Sequence, residues 1–422
     1  MAKIKCWSKA LDIHLARFGP MSSRSPVILF CSALAGDGVA RNTVHLANAL
    51  FRRDVPVEIV CLRGGALAAG LDGPQVTVLG RTRGPRALAL AAALPALRRR
   101  LAGCRPSVVV SMGNHAHLAL WTALRGLPDV PRIYRISNDI AHQGRDRVRR
   151  VTRELVLRLV AADATRLVCV SRRLADAAAF RRARRDRRLD VLAIGVDADA
   201  VRARAAAGAQ HPWIAEGARY LVAVGRVHRQ KNYEVLIDAL GRLRAAGHPD
   251  LRLLVLGAAP PKRRAALAAR ARALGLSRAV RFEGEVANPF PLVAGALVYV
   301  LHSLWEGASN SLLEALACGV PVVASRTAGN APDVLGEGAF GALADPTDAA
   351  DLARAIATQL DPESRIAPRD RADAFALDSV AARLSAIVLS SRREHDGNQM
   401  YSEPRGHPDP VSPTMQGAKT EY

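Results

Sequence analysis

Short β-branched and aliphatic runs recur along the chain with alanine-rich, helix-compatible stretches between them. In the first half they fall at Val27–Cys31, Val57–Cys61, Val76–Leu79, Ser107–Ser111, Arg132–Ile136, Arg166–Val170 and Leu189–Ala193. The rhythm stops between Asp197 and Gly217, where no strand signal is visible, and resumes at Tyr220–Val224, Leu251–Leu256, Ala279–Phe282, Ala296–Leu301 and Val320–Ala324. Such alternation predicts parallel strands joined by crossover helices. Two doubly wound α/β domains are therefore expected, at 26–196 and 219–374, with an interdomain linker at 197–218. Ligands of open α/β sheets bind beyond the carboxyl ends of the strands, so two such sheets facing one another place the site in the cleft between them.

A length of 422 residues suits two domains, and an apolar half gives each an ample core. The six cysteines show no metal or redox spacing and read as reduced thiols of a cytoplasmic protein. Ala87–Leu97, the longest weakly polar stretch, is too short to span a bilayer and contains Pro95. Residues 1–25 form an extension in which Ile4, Trp7, Leu11, Leu15 and Phe18 share a helical face beside Lys3, Lys5 and Lys9. That pattern fits a helix lying on an anionic membrane; equally, Met21 can be the true start. After Arg392 the chain turns polar, and 393–422 is expected to be a disordered tail.

The net charge of +22, carried mainly by arginine and densest over Arg132–Arg188, attracts polyanions. Anionic lipid, phosphorylated substrates and nucleic acid are the candidates, with genome composition as the alternative source of the arginines. Only 4% of residues are aromatic and no nucleic-acid-reading module is visible, which argues against nucleic acid.

The densest chemistry lies in Ser303-Leu-Trp-Glu306-Gly307-Ala-Ser-Asn310-Ser311-Leu312-Leu-Glu314, followed by Cys318-Gly319-Val320-Pro321 and a strand. A helix starting near Asn310 turns its unpaired amides, around Asn310, Ser311 and Leu312, and its positive dipole end toward the cleft, where they suit a phosphate. Glu314, on the first turn, can accept two hydroxyl hydrogen bonds, as a ribose offers. Locally, Ser311 and Glu314 also have the spacing of a capping box, and Glu306 also fits a solvated loop acid. A second block, Gly225-Arg226-Val-His-Arg-Gln-Lys231-Asn232, sits between a strand and a helix. Arg226 and Lys231 can place a planar bidentate cation and a mobile point charge beside a diphosphate; otherwise Asn232 caps the helix and the basic residues are surface groups.

These blocks resemble the retaining family-four glycosyltransferases, glycosyl transferases group 1, from Val27 to Arg392. Glu306 and Glu314 are separated by seven residues and run into a small-residue stretch, Gly-x-Pro and a strand, as in that family. The resemblance implies two Rossmann-like domains of the GT-B type, with a helix at 375–392 crossing back onto the first domain. It implies that Glu306 meets the donor sugar, Glu314 the ribose, and Arg226 and Lys231 the diphosphate. Gly36 and Gly38 match its glycine-rich loop near the donor phosphate, or else form an ordinary turn. His115 stands where a His or polar residue often faces the reacting sugar, though a loop His is commonly structural. Gly329-Asn330 resembles a glycine-containing loop after the second glutamate. The chain departs from the usual pattern at Gly257-Ala-Ala-Pro260 and Ala193-Ile-Gly195-Val196-Asp197.

The expected reaction is metal-independent, retaining transfer from a nucleotide sugar, a UDP-hexose or UDP-N-acetylhexosamine, to a lipid-linked or polysaccharide acceptor in bacterial cell-surface glycan synthesis. No cofactor is expected, and the nucleotide sugar is a co-substrate. Asp197-Ala-Asp199 looks like a metal-binding pair but lies at the hinge, and Arg226 and Lys231 supply the phosphate cations. The enzyme is expected in the cytoplasm, peripheral at the inner face of the cytoplasmic membrane, held to the anionic surface by residues such as Arg145, Arg147, Arg149 and Arg150. A sugar-nucleotide epimerase of the same architecture and a basic nucleic-acid-binding protein are the competing readings.

Overall fold

Val, Ile and Leu crowd into runs too short for helices, and these form strands that are buried on both faces at the centre of each sheet, as in parallel sheets covered by helices, and partly exposed at its edges. The computed structural model describes residues 25–402 except 36–37, 81–85, 128, 139–146, 209 and 367–368. The first seven strands are β1 (Val27–Ala33), β2 (Val57–Arg63), β3 (Gln75–Val78), β4 (Val108–Ser111), β5 (Arg132–Ile136), β6 (Arg166–Cys169) and β7 (Leu189–Val191). They make one parallel sheet in the order β3-β2-β1-β4-β5-β6-β7. The other six are β8 (Tyr220–Val224), β9 (Arg252–Leu256), β10 (Val280–Gly284), β11 (Val298–Leu301), β12 (Val322–Ser325) and β13 (Ala342–Ala344). They form a second parallel sheet, β10-β9-β8-β11-β12-β13.

The described helices of seven or more residues are α1 (Gly38–Phe51), α2 (Arg86–Cys104), α3 (His117–Ala123), α4 (Arg147–Asp163), α5 (Ala198–Ala206), α6 (Tyr233–Ala245), α7 (Pro261–Ala273), α8 (Asn310–Ala317), α9 (Ala349–Leu360) and α10 (Leu377–Ser402). They separate the strands, giving two doubly wound α/β sheets. Pro95 lies inside α2, and among the described residues no helix is long and apolar enough to cross a membrane. The described cysteines carry free thiols.

The stretch between the sheets holds no strand, but it is not a bare linker. Asp197 accepts a hydrogen bond from the Ala200 amide at 3.0 Å and starts α5, and Pro212–Ala215 forms a further helical turn. Asp199 faces Arg202 at 3.0 Å, so both acids of the Asp-x-Asp pair serve the helix. Helix α5 packs on α8 and on the turn Phe290–Ala294.

The chain crosses between domains twice, side by side. Val196 donates to the Phe375 carbonyl at 2.9 Å and Leu377 donates back to Val196 at 3.0 Å. Helix α10 then lies on α1, burying Ala381, Leu384 and Val388 in the core that also holds Val27, Leu29 and Leu50. Each fully buried Leu or Val contributes roughly 2 kcal/mol, so the returning helix is a fixed part of the first domain. It continues through Ser402, past the expected start of a disordered tail at 393, because Leu384, Val388 and the Glu394–Arg166 pair at 2.6 Å hold it down. The amphipathic pattern of residues 3–18 lies outside the described residues.

Candidate active site in the interdomain cleft

Three loops at the carboxyl ends of the second sheet build one side of the cleft. The β8–α6 loop begins at Gly225, whose φ of 149° belongs to glycine; a Cβ there would also lie 2.8 Å from Lys231 Cε. The bare Gly225 backbone leaves room for the Lys231 stem, and Lys231 Nζ donates to Glu306 Oε1 at 2.7 Å. Ser303 Oγ donates to the same oxygen at 2.9 Å, and Glu306 is buried, 8% exposed. The two loops are further stitched by Leu304 N to the Gln230 carbonyl at 2.8 Å and Gln230 Nε2 to the Trp305 carbonyl at 2.7 Å. Glu306 is therefore a fixed, charge-matched acid and not a solvated loop residue.

Arg226 lies on the same loop but is exposed, without an ion pair or hydrogen bond among the described residues. It is a cation available to a ligand. Asn232 does not cap α6 with its side chain: it adopts φ 54° and gives its amide to the Pro346 carbonyl at 2.7 Å.

Helix α8 starts at Asn310 with Ser309 ahead of it, and no side chain caps it. The Ser309 amide is taken by Asn330 Oδ1 at 3.0 Å. The amides of Asn310, Ser311 and Leu312 precede the first intrahelical bond and point out of the helix end. Ser311 Oγ accepts from Tyr299 at 2.7 Å and lies 3.1 Å from Ser309 Oγ, and Leu312 is wholly buried, so at Leu312 only the amide can serve a ligand. The capping-box alternative fails, because Glu314 turns away from its own helix and pairs with Arg41 of α1 at 2.9 Å.

That ion pair spans the cleft. Asn42 Nδ2 lies 3.5 Å from Asn310 Oδ1, and Gly38, the first residue of α1, sits directly against the Asn310 side chain. The amino ends of α1 and α8 are thus opposed, two positive helix ends at one place. Behind them a cavity of about 180 Å³ is lined by Arg41, Asn42, His45, Asp197, Asn310 and Glu314 among others. Burial and the nearby Arg41 lower the His45 pKa, favouring its neutral form.

A second contact across the cleft involves Gly307, where a Cβ would overlap the Ser137 carbonyl. Asn114 holds that loop, donating to the Asn138 carbonyl at 2.7 Å and accepting from the Ser137 amide at 2.9 Å. His115, next to Asn114, is exposed in the turn before α3. The buried histidine is instead His117, bonded through Nδ1 to Ser111 Oγ at 2.7 Å and pushed down to about 3 by burial, with the charge of His115 adding to the effect. Gly36 lies outside the described residues.

The structure thus unites Lys231 with Glu306 and brings the α8 amino end and Glu314 to α1, while His115 lies exposed on the loop after β4. Sequence reasoning missed Arg41, Asn42 and Ser303. Arg41 is three residues past Gly38, and only that position on the first turn of a cleft-facing helix marked it. Chemically, a buried acid, two cations and opposed helix ends suit a bound sugar hydroxyl beside a diphosphate. Among the described residues no group of three or more His, Cys, Asp or Glu is placed so that it could hold a metal ion.

Residues 218–361 match the family model described as Glycosyl transferases group 1, and residues 37–195 match that of the Glycosyl transferase 4-like domain. The chain belongs to the group 1 glycosyltransferases. One relative of this group 1 glycosyltransferase is an N-acetylgalactosamine-N,N'-diacetylbacillosaminyl-diphospho-undecaprenol 4-alpha-N-acetylgalactosaminyltransferase of Campylobacter jejuni. It is 31% identical over 172 residues, which is 40% of this chain and 46% of that one. A lipopolysaccharide core biosynthesis glycosyltransferase, LpsE of Rhizobium meliloti, is 35% identical over 137 residues, 32% of this chain and 38% of that one. The chain thus aligns with less than half the length of each of these two curated relatives. HepE of Anabaena, solved in complex with UDP and glucose, superposes with a TM-score of 0.68 at 19% identity, covering 87% of this chain and 100% of that one. That likeness is one of fold, two doubly wound domains about a cleft in the GT-B manner.

Proposed function

We propose that this group 1 glycosyltransferase moves a hexose or N-acetylhexosamine from a UDP-sugar to a lipid-linked or polysaccharide acceptor in bacterial cell-surface glycan synthesis. The observation that carries this reading is the Lys231–Glu306–Ser303 cluster, with exposed Arg226 on the same loop as Lys231 and the amino end of α8 four residues after Glu306. Lys231 and Arg226 neutralise the leaving diphosphate, the amides of Asn310, Ser311 and Leu312 hold its distal phosphate, and Glu306 accepts from a sugar hydroxyl. Glu314 exchanges Arg41 for the ribose hydroxyls when the donor enters.

Transfer proceeds with retention. The bond from the anomeric carbon to the phosphate oxygen breaks, the acceptor oxygen bonds to the same face, and the acceptor proton passes to a phosphate oxygen. The cations take the place of a metal ion, so excess chelator leaves turnover unchanged. Contact of Gly307 with Ser137 aligns the two halves and excludes water. The relatives' names support lipid-linked and lipopolysaccharide acceptors, and a neighbour holding UDP and glucose supports the donor class. The enzyme works from the cytoplasm at the inner face of the cytoplasmic membrane.

The test is mass spectrometry of products formed from a nucleotide-sugar panel on lipid extracts. Epimerised donor formed without acceptor would overturn the reading in favour of an epimerase.

A further inference from the structure

Large apolar side chains that stay exposed gather on one helix. Val148, Val151, Leu155 and Leu159 of α4 are 71%, 51%, 59% and 37% exposed. Their spacing of three and four residues puts them on one face. The opposite face of α4 already contributes Leu157, Val160 and Ala161 to the core. One buried face is enough to fold a helix against a sheet, so the second apolar face has no role in the fold.

The stripe runs into Ala162, part of the floor of a basin of about 500 Å³ between α4 and residues 178–188. Arg158, Arg181, Arg182, Arg185 and Arg188 surround it, with alanines beneath. Glu154 answers Arg158 at 2.6 Å, and Asp186 alone answers Arg182 at 3.6 Å, Arg185 at 3.6 Å and Arg188 at 3.4 Å. Arg188 is half-buried and also donates to the Ala161 and Ala164 carbonyls, so the exposed guanidinium groups are those of Arg158, Arg181, Arg182 and Arg185, and two carboxylates answer the basin. No aromatic side chain lines the basin, so it offers no platform for stacking bases.

The placement matters because α4 follows β5, whose loop at Ser137 and Asn138 touches Gly307 in the cleft. As a crossover helix, α4 starts on the cleft side and runs back toward the basin.

We propose that this face of α4 docks the chain on an anionic lipid bilayer, the apolar stripe entering the headgroup–acyl boundary and the arginine basin holding lipid phosphates. It rests on the reading of the acceptor as lipid-linked and gives that reading a geometry: the bilayer lies along α4, and the cleft opens at its edge.

The experiment is sedimentation of the full chain with phosphatidylcholine vesicles that contain phosphatidylglycerol, against phosphatidylcholine alone. Wild type sediments with the anionic vesicles only, and less so as salt rises from about 0.05 to about 0.3 M. Val151→Glu/Leu155→Glu weakens partition roughly tenfold. Arg181→Gln/Arg185→Gln weakens it roughly thirtyfold. Arg264→Gln/Arg272→Gln on α7 leaves it within about twofold, because those charges lie in the second domain. A polarity-sensitive dye on Leu155→Cys shifts to the blue on anionic vesicles, a readout that holds even if the double variants lose their melting transition.

Wild-type partition by the stripe variants without a dye shift would overturn the proposal, as would equal binding to neutral vesicles. Duplex RNA binding that needs the arginines and not Val151 or Leu155 would assign the face to nucleic acid. Donor binding, measured separately by calorimetry, distinguishes the failures: its loss sinks the catalytic reading alone, and loss of vesicle binding sinks this surface alone.

Discussion

On the carboxyl-terminal side of the cleft the charges are already matched, Lys231 to Glu306 at 2.7 Å with Ser303 on the same oxygen. On the amino-terminal domain the cations are in surplus, five arginines around one basin against two acids. Matched, buried charges are fixed in geometry and poised for one ligand, whereas surplus, exposed charges act at a distance and are screened by salt. On the proposed reading the difference separates chemistry from docking: substitutions on the first side are expected to change rate, and those on the second to change location.

The largest expected effect comes from breaking the matched pair. Lys231→Ala lowers turnover by roughly a hundredfold to a thousandfold, as loss of a fixed charge stabiliser does. Glu306→Ala is comparable, and the double variant is less than additive because each single change strands the partner charge. Steady-state kinetics with a soluble acceptor analogue checks this; full additivity would show that the two act separately.

Gly307→Ala comes next. The added methyl meets the Ser137 carbonyl, so kcat falls roughly tenfold while donor affinity, measured by calorimetry, changes little. Glu314→Ala should do the reverse, weakening donor binding roughly tenfold with a smaller change in kcat. A donor affinity that held steady in Glu314→Ala would remove the ribose assignment and leave Glu314 as a partner of Arg41 alone.

The smallest effect is on stability. Burial holds His117 down to about 3, and His302 down to about 4, from an ordinary value near 6.5. The unfolded chain takes up these protons below pH ~6.5 while the folded chain refuses them, so stability is present above that pH and drains as pH falls toward 4. The slope is at most about 1.4 kcal/mol per pH unit for each histidine. Thermal melts of His117→Gln should show a shallower acid decline than wild type.

Much of this arrangement was legible before the structure. Arg132–Ile136 and Tyr220–Val224 match strands residue for residue, because apolar positions bounded by proline or glycine leave little choice of limits. Ala342–Ala344 escaped notice, since three residues without β-branching carry no strand signal and rely on pairing with β12. The hinge helix Ala198–Ala206 buries only Ala198 and Val201, so no apolar periodicity marks it in the sequence. At the site, the Lys231 and Glu306 blocks could each be read, since each is a contiguous loop between a strand and a helix. The Arg41–Glu314 pair could not, because 273 residues separate its members and only tertiary packing joins them. Local spacing even suggested the wrong partner for Glu314, its own helix end.

The central claim is that the Lys231–Glu306 pair serves a nucleotide-sugar diphosphate. The most direct measurement is calorimetric binding of UDP-sugars to wild type and Lys231→Ala, alongside transfer to a lipid extract read by mass spectrometry. Saturable binding and a single added sugar mass in wild type, both strongly reduced in the variant, are the expected results. Undiminished binding and transfer in Lys231→Ala would contradict the account.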